Sequence, residues 1–193
     1  MVQESSGIGD LTYVRQVVER AGDRSVTPPA CMYMWAVIVL AGFALFDLAP
    51  RYGLLYWLAM PVVGAVASVF IGRSYRRALG IRDRRLGLRI GSHWFTFLLG
   101  YLMLLVLPLT GQITWPIFGV LMMLLTSLFF LTASFHLDRR YLPLGIVTAL
   151  IYLALLFLPI FSWTLIGAVF AAGFVMAGWL AGASRTSAHT GGE

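Results

Sequence analysis

The chain reads as an all-α membrane protein of six transmembrane helices in three consecutive helical hairpins, with N-in/C-in topology and a short amphipathic helix near the N-terminus. Three observations predict it. The 193 residues are 60% hydrophobic and only 11% charged, with mean hydropathy +0.85, whereas a soluble domain carries roughly 25% charge. The few charges divide the chain into apolar runs of bilayer length, and all but one of the arginines fall on a single side of the fold those runs imply.

The same composition excludes other classes. A water-soluble globule, a disordered chain and a collagen repeat are all inconsistent with this apolar content, and Cys31, the single cysteine, closes no bridge within the chain. The net charge of +6 arises from fourteen basic residues, every one an arginine, against eight acids. These arginines cluster at the ends of apolar runs rather than along a hydrophilic domain, so nucleic acid is not the expected partner.

Each span follows from the gaps between charges. Between Arg24 and Asp47 lie 22 uncharged residues, and between Arg51 and Arg73 lie 21. Either length suffices for one helix across a ~30 Å apolar core at ~1.5 Å per residue. From Ile90 to Leu137 run 48 residues without Asp, Glu or Arg, and from Tyr141 to Ser184 another 44, so each of these must fold back once. The reversals are expected at Leu107-Pro108-Leu109-Thr110-Gly111-Gln112 and at Leu158-Pro159-Ile160-Phe161-Ser162. The predicted spans are approximately 30–49, 53–72, 91–109, 114–135, 141–159 and 163–183, flanked by tails 1–29 and 184–193. Helices are required because the runs do not alternate with period two, and a lipid-exposed backbone must satisfy its own hydrogen bonds.

Arginine asymmetry sets the orientation. With the N-terminus cytoplasmic, thirteen arginines lie inside and only Arg51 outside. Tryptophan agrees, with Trp35, Trp94 and Trp179 at predicted inner ends and Trp57, Trp115 and Trp163 at outer ends. The first 24 residues carry Glu4, Asp10, Glu19 and Asp23 and lack a basic region before a short apolar core, so a cleavable signal peptide is not expected. The expected location is the bacterial cytoplasmic membrane. An internal repeat is also predicted: each hairpin has a proline near the end of its first helix (Pro50, Pro108, Pro159), then an outer tryptophan and a glycine (Gly64, Gly119, Gly167).

The segment from Asp10 to Arg20, Trp35, Phe46-Asp47 and Ser92-His93-Trp94 resemble pieces of uncharacterised small bacterial six-helix integral membrane proteins built from three helical hairpins. The likeness spans roughly the first half of the chain. It implies a fold and, for some members, a winged-helix regulator as genetic neighbour; it implies no catalytic residues.

Candidate chemistry is sparse. Asp47 is the sole acid within the predicted spans, which makes it a functional candidate. Arg51, four residues on, is the expected partner in a local ion pair. His93 and His136 sit at the predicted cytoplasmic ends of the third and fourth helices, where two imidazoles could hold a haem or begin a metal site, with Asp138 or His189 as a further ligand. The second loop concentrates Arg73, Arg76, Arg77, Arg82, Arg84, Arg85 and Arg89, suited to anionic lipid or an acidic protein partner. Leu11, Val14, Val17 and Val18 form one side of a helix over about 11–21 that lies on the membrane or docks a cytoplasmic partner. Gly167, Ala171, Gly173, Ala177, Gly178 and Gly182 give the sixth helix a small face for packing within the chain or between copies.

No metalloprotease, nucleophile-elbow, phosphate-loop or paired-cysteine motif occurs, and no cofactor is expected. The expected role is therefore an accessory or regulatory membrane subunit rather than an enzyme. The alternatives are a small-solute transporter or channel and a haem-bearing electron-transfer subunit.

Overall fold

The computed structural model describes residues 28–78, 84–158 and 162–190, with the side chains of 84–86 and 184–190 left aside. The predicted tail helix with Leu11, Val14, Val17 and Val18, and also Arg82, lie outside the described residues. Within them the fold is all helical: α1 (Pro29–Leu48), α2 (Pro50–Ala78), α3 (Arg84–Leu109), α4 (Trp115–His136), a 3-10 turn (Arg139–Tyr141), α5 (Leu142–Phe157) and α6 (Trp163–Thr190). There are six segments long and apolar enough to cross a membrane, and no strand among the described residues.

The elements match the expected spans, but three are longer. α2 runs to Ala78 instead of 72, α3 begins at Arg84 instead of 91, and α6 continues to Thr190 instead of 183. Bounding a span at the first arginine marks where the apolar run ends, not where the helix does. Arginine is a good helix former, and at a helix C-terminus its charge complements the dipole, as Arg76 and Arg77 do in the last turn of α2. Much of the predicted basic loop is therefore helix.

The α3–α4 reversal falls within the expected Leu107-to-Gln112 segment. Pro108 lies inside α3, and the chain turns at Gly111, whose φ of +73° is the left-handed conformation that glycine adopts freely. Gln112 N–H donates to the Leu107 carbonyl at 2.9 Å and Gly111 N–H to that of Pro108 at 3.2 Å, the paired bonds of a glycine-terminated helix. At the α1–α2 junction Ala49 breaks the helix and Pro50 begins the next, where its missing N–H is harmless.

Packing is unequal. α1 lies most extensively on α6, and α4 on α5; the α1–α2, α3–α4 and α5–α6 contacts are smaller, so the bundle does not pack as three equivalent units. Phe129, Phe130, Phe170 and Phe174 fill the space between the two main pairs, with Phe130 against Tyr141, Phe170 and Phe174 at centroid distances of 5.9, 6.4 and 5.6 Å. Leu144 and Thr148 of α5 are completely buried.

Close approach depends on small residues. A Cβ on Gly167 of α6 would stand 2.5 Å from Phe43 Cβ of α1, and one on Gly178 would stand 2.9 Å from the Tyr33 ring. Between α1 and α2 the same device recurs: Gly42 receives Trp57, Gly53 receives Phe46, and Gly64 receives Trp35, with a Cβ at 2.7, 2.7 and 2.9 Å from the rings. In lipid, where helix association gains little from the hydrophobic effect, such contact supplies the dispersion energy that holds helices together. The small face predicted for α6 thus serves packing within the chain, except at Gly182, which faces open space.

The outer helices contrast with this interior. α2 buries little beyond Gly53 and Gly64, and the apolar window of α3 contains no buried residue. Leu55, Val62, Phe70, Phe95 and Met103 are strongly exposed. Apolar surface of this extent is what a lipid-facing helix presents.

Candidate functional site

Two polar constellations occupy opposite ends of α1. Asp47, near its C-terminus, meets the start of α6. Its Oδ2 accepts from Ser162 Oγ at 2.9 Å, Thr164 N–H at 2.8 Å and Thr164 Oγ1 at 2.7 Å, while Oδ1 accepts from Trp163 N–H at 3.1 Å. Ser162 Oγ also accepts from Leu165 N–H at 3.2 Å and so acts as the local cap. A carboxylate there neutralises orphan amides and sits favourably against the helix dipole.

The expected ion pair with Arg51 is not formed. The Arg51 guanidinium instead lies over the Tyr52 ring, 4.5 Å from its centroid, and both Asp47 and Arg51 are exposed. The helix breaks at Ala49, so the four-residue spacing no longer places the two side chains on one face. Reading the sequence missed Ser162 and Thr164 as the partners of Asp47; a serine directly before an apolar run was the available signal for a helix start.

At the other end, Trp35 of α1 ties two peripheral helices to the bundle. Its Nε1–H donates to Ser68 Oγ of α2 at 3.0 Å, and its ring stacks on Trp94 of α3 at 6.2 Å with 15° between planes. Cys31 is buried beside the same stretch, with Sγ 3.9 Å from the Ser68 carbonyl oxygen. Beyond this layer lie Arg73, Arg76 and Arg77 on α2 and Arg89 on α3; Arg84 and Arg85 belong to the first turn of α3.

His93 holds α3 to α4. Its Nε2 is 3.1 Å from the Phe129 carbonyl oxygen and therefore acts as the donor, and its ring stacks on the Phe129 ring at 4.4 Å. His136 is exposed at the end of α4. Asp138, the suggested further ligand, accepts from Arg140 N–H at 3.0 Å and pairs with the Arg140 guanidinium at 3.6 Å. Among the described residues no group of three or more His, Cys, Asp or Glu side chains converges on a metal position. Ligation of an iron through His93 Nε2 requires breaking the bond to Phe129, so the geometry fits helix docking better than axial ligation.

Buried hydroxyls are accounted for locally. Thr148 Oγ1 donates to the Leu144 and Gly145 carbonyls at 2.8 and 3.1 Å, and Ser127 Oγ of α4 reaches across to the Gly145 carbonyl at 3.1 Å. Trp57 Nε1 is a buried donor without a partner.

No family model, curated protein or solved structure matches this chain. The chemistry of the two ends and the side chains that fill the middle are what bear on function.

Proposed function

We propose that the chain is a non-catalytic accessory or regulatory subunit of a bacterial cytoplasmic-membrane system. In this reading the helices form three sequential hairpins and both termini are cytoplasmic, with the arginine-rich ends of α2 and α3 and the residue 11–21 segment presented to a cytoplasmic partner. The observation that carries the proposal is the filled interior. Phe129, Phe130, Phe170 and Phe174 occupy the centre, and the buried Thr148 hydroxyl is turned onto its own helix. That arrangement supports a scaffold more than a solute path, which needs unpaired polar groups lining a cavity.

The test is crosslinking of the full chain in its native membrane, compared with a variant lacking residues 1–24. A stoichiometric cytoplasmic partner that disappears on truncation is the expected result. Solute uptake by proteoliposomes containing the chain alone would overturn the reading in favour of a transporter.

A further inference from the structure

α1 starts lower than the two helices that flank it. Among the described elements it packs on α2 and α6 alone, and the backbones of those two do not approach each other. Cys31, in the first turn of α1, meets Ser68 of α2, and from Ser68 α2 continues ten residues to Ala78, about 15 Å. Gly178 of α6 receives Met32 and Tyr33, and from there α6 continues twelve residues to Thr190, about 18 Å. The start of α1 is therefore the floor of a notch between two projecting helix ends, and the chain enters α1 there through the buried Pro28. The stripe of α2 that faces α1 does not end where α1 does. Gly64 and Ser68 meet Trp35, and Ile71, Tyr75 and Ala78 lie within about 40° of Gly64 around the helix. Ile71 and Tyr75 stay part-buried, while Arg73, Ser74 and Arg77 are exposed. Tyr75 stands about 10 Å beyond Ser68, past the first residue of α1, so α1 does not supply its cover.

We propose that the chain's own residues 11–21 dock in this notch, with the face of Leu11, Val14, Val17 and Val18 against the Ile71–Tyr75–Ala78 stripe of α2. Length permits it, because the connection 22–27 reaches at most about 20 Å from Pro28 and the notch begins at that residue. Charge favours it over the neighbouring lipid surface. Half of the chain's eight acids, Glu4, Asp10, Glu19 and Asp23, precede Pro28, against three arginines, Arg15, Arg20 and Arg24. A helix that binds an anionic leaflet carries an excess of Lys and Arg on its polar face, which this segment lacks. The same end of the bundle, by contrast, carries eight arginines on α2, α3 and the 3-10 turn against the single acid Asp138, so a net acidic tail is drawn to it. The docking requires no second protein, and its failure would leave the accessory role untouched.

The experiment is oxidative crosslinking of the full chain in membranes containing phosphatidylglycerol, with Cys31→Ser throughout. Val18→Cys is paired either with Ala78→Cys on the stripe or with Arg77→Cys, about 140° around α2 from Gly64 at the same height. An intramolecular disulfide is expected to form about tenfold faster with Ala78→Cys, since docking raises the effective concentration of one thiol at the other. Adding Val14→Asp/Val17→Asp, which lie outside the bundle, should bring the Ala78→Cys rate down to that of Arg77→Cys while the protein still elutes as a folded species. Equal rates at the two α2 positions overturn the proposal, as does a fast Ala78→Cys reaction that survives the aspartates, or a disulfide that joins two copies. A spin label on Val18→Cys alone that is relaxed by lipid-dissolved oxygen as strongly as one on the exposed Phe70→Cys also overturns it, in favour of a helix lying on the leaflet.

Discussion

Asp47 grips Thr164 twice, taking its backbone N–H at 2.8 Å and its hydroxyl at 2.7 Å, across 117 positions of sequence. The contact joins the end of α1 to the start of α6, the two helices that pack most extensively on each other. An acid in an otherwise apolar helix is thus explained by position: it supplies the negative charge that the first amides of a neighbouring helix attract.

Replacing that carboxylate should loosen the junction. Asp47→Ala is expected to lower the midpoint of thermal unfolding in detergent by roughly 2–4 °C, the effect of one lost helix cap in a chain of this size. Asp47→Asn, which keeps one acceptor oxygen, should fall between. Arg51→Gln should leave the midpoint unchanged, because Arg51 rests on Tyr52 and not on Asp47. Equal losses in Asp47→Ala and Arg51→Gln would restore the ion pair that the sequence spacing implied.

The α1–α6 seam makes a sharper prediction about volume. Gly167→Ala places a methyl 2.5 Å from Phe43 Cβ, a backbone-proximal atom that cannot swing aside. Overpacking of this kind costs about 1–3 kcal/mol. Gly182→Ala, on the same helix with nothing nearby, should lie within about 0.5 kcal/mol of the parent. Denaturant unfolding of the two variants in one detergent checks the difference, and its reversal would place the seam elsewhere.

Trp35 and Ser68 offer a direct measure of how α2 is held. A double-mutant cycle of Trp35→Phe and Ser68→Ala should return a coupling of about 0.6 kcal/mol and no more than about 1.7, the range found for hydrogen bonds between helices in membranes. His93→Phe should release α3 from the Phe129 carbonyl while retaining a ring to stack on Phe129. Increased proteolytic or hydrogen-exchange access confined to α3 is the expected signature, because α3 contacts the bundle mainly through α4.

What the sequence made legible was whatever depends on one-dimensional pattern. Charge spacing located all six helices because span length is a property of the bilayer, not of tertiary contacts. Helix ends beyond the apolar runs, as at Arg73–Ala78, were hidden because arginine signals the edge of lipid without ending a helix. The α3–α4 reversal was legible as the segment holding Pro108 and Gly111, and the left-handed residue within it is Gly111. The partners of Asp47 were invisible, since nothing local connects position 47 to Ser162 and Thr164. His136 ends α4 as the pattern implied, but His93 lies nine residues inside α3, and the pattern could not show that the Phe129 carbonyl takes its Nε2 proton.

The buried hydroxyls provide the last and most discriminating prediction, because a polar path and a packed scaffold rank them in opposite orders. Thr148 is fully buried and bonds only to carbonyls one turn back on α5, groups already engaged by the helix ladder. Thr148→Val keeps the shape and removes only this secondary bond, so its cost should stay below about 0.5 kcal/mol. Ser127 carries its hydroxyl from α4 to the Gly145 carbonyl of α5, where the helices are so close that a Cβ on Gly145 would stand 2.8 Å from Leu131. Ser127→Ala removes a true bridge between helices and should cost more, about 0.6–1.7 kcal/mol. In a packed scaffold stability therefore falls more for Ser127→Ala than for Thr148→Val, and neither changes solute flux into proteoliposomes. If Thr148 instead lined a conduit, Thr148→Val would alter flux while leaving stability intact.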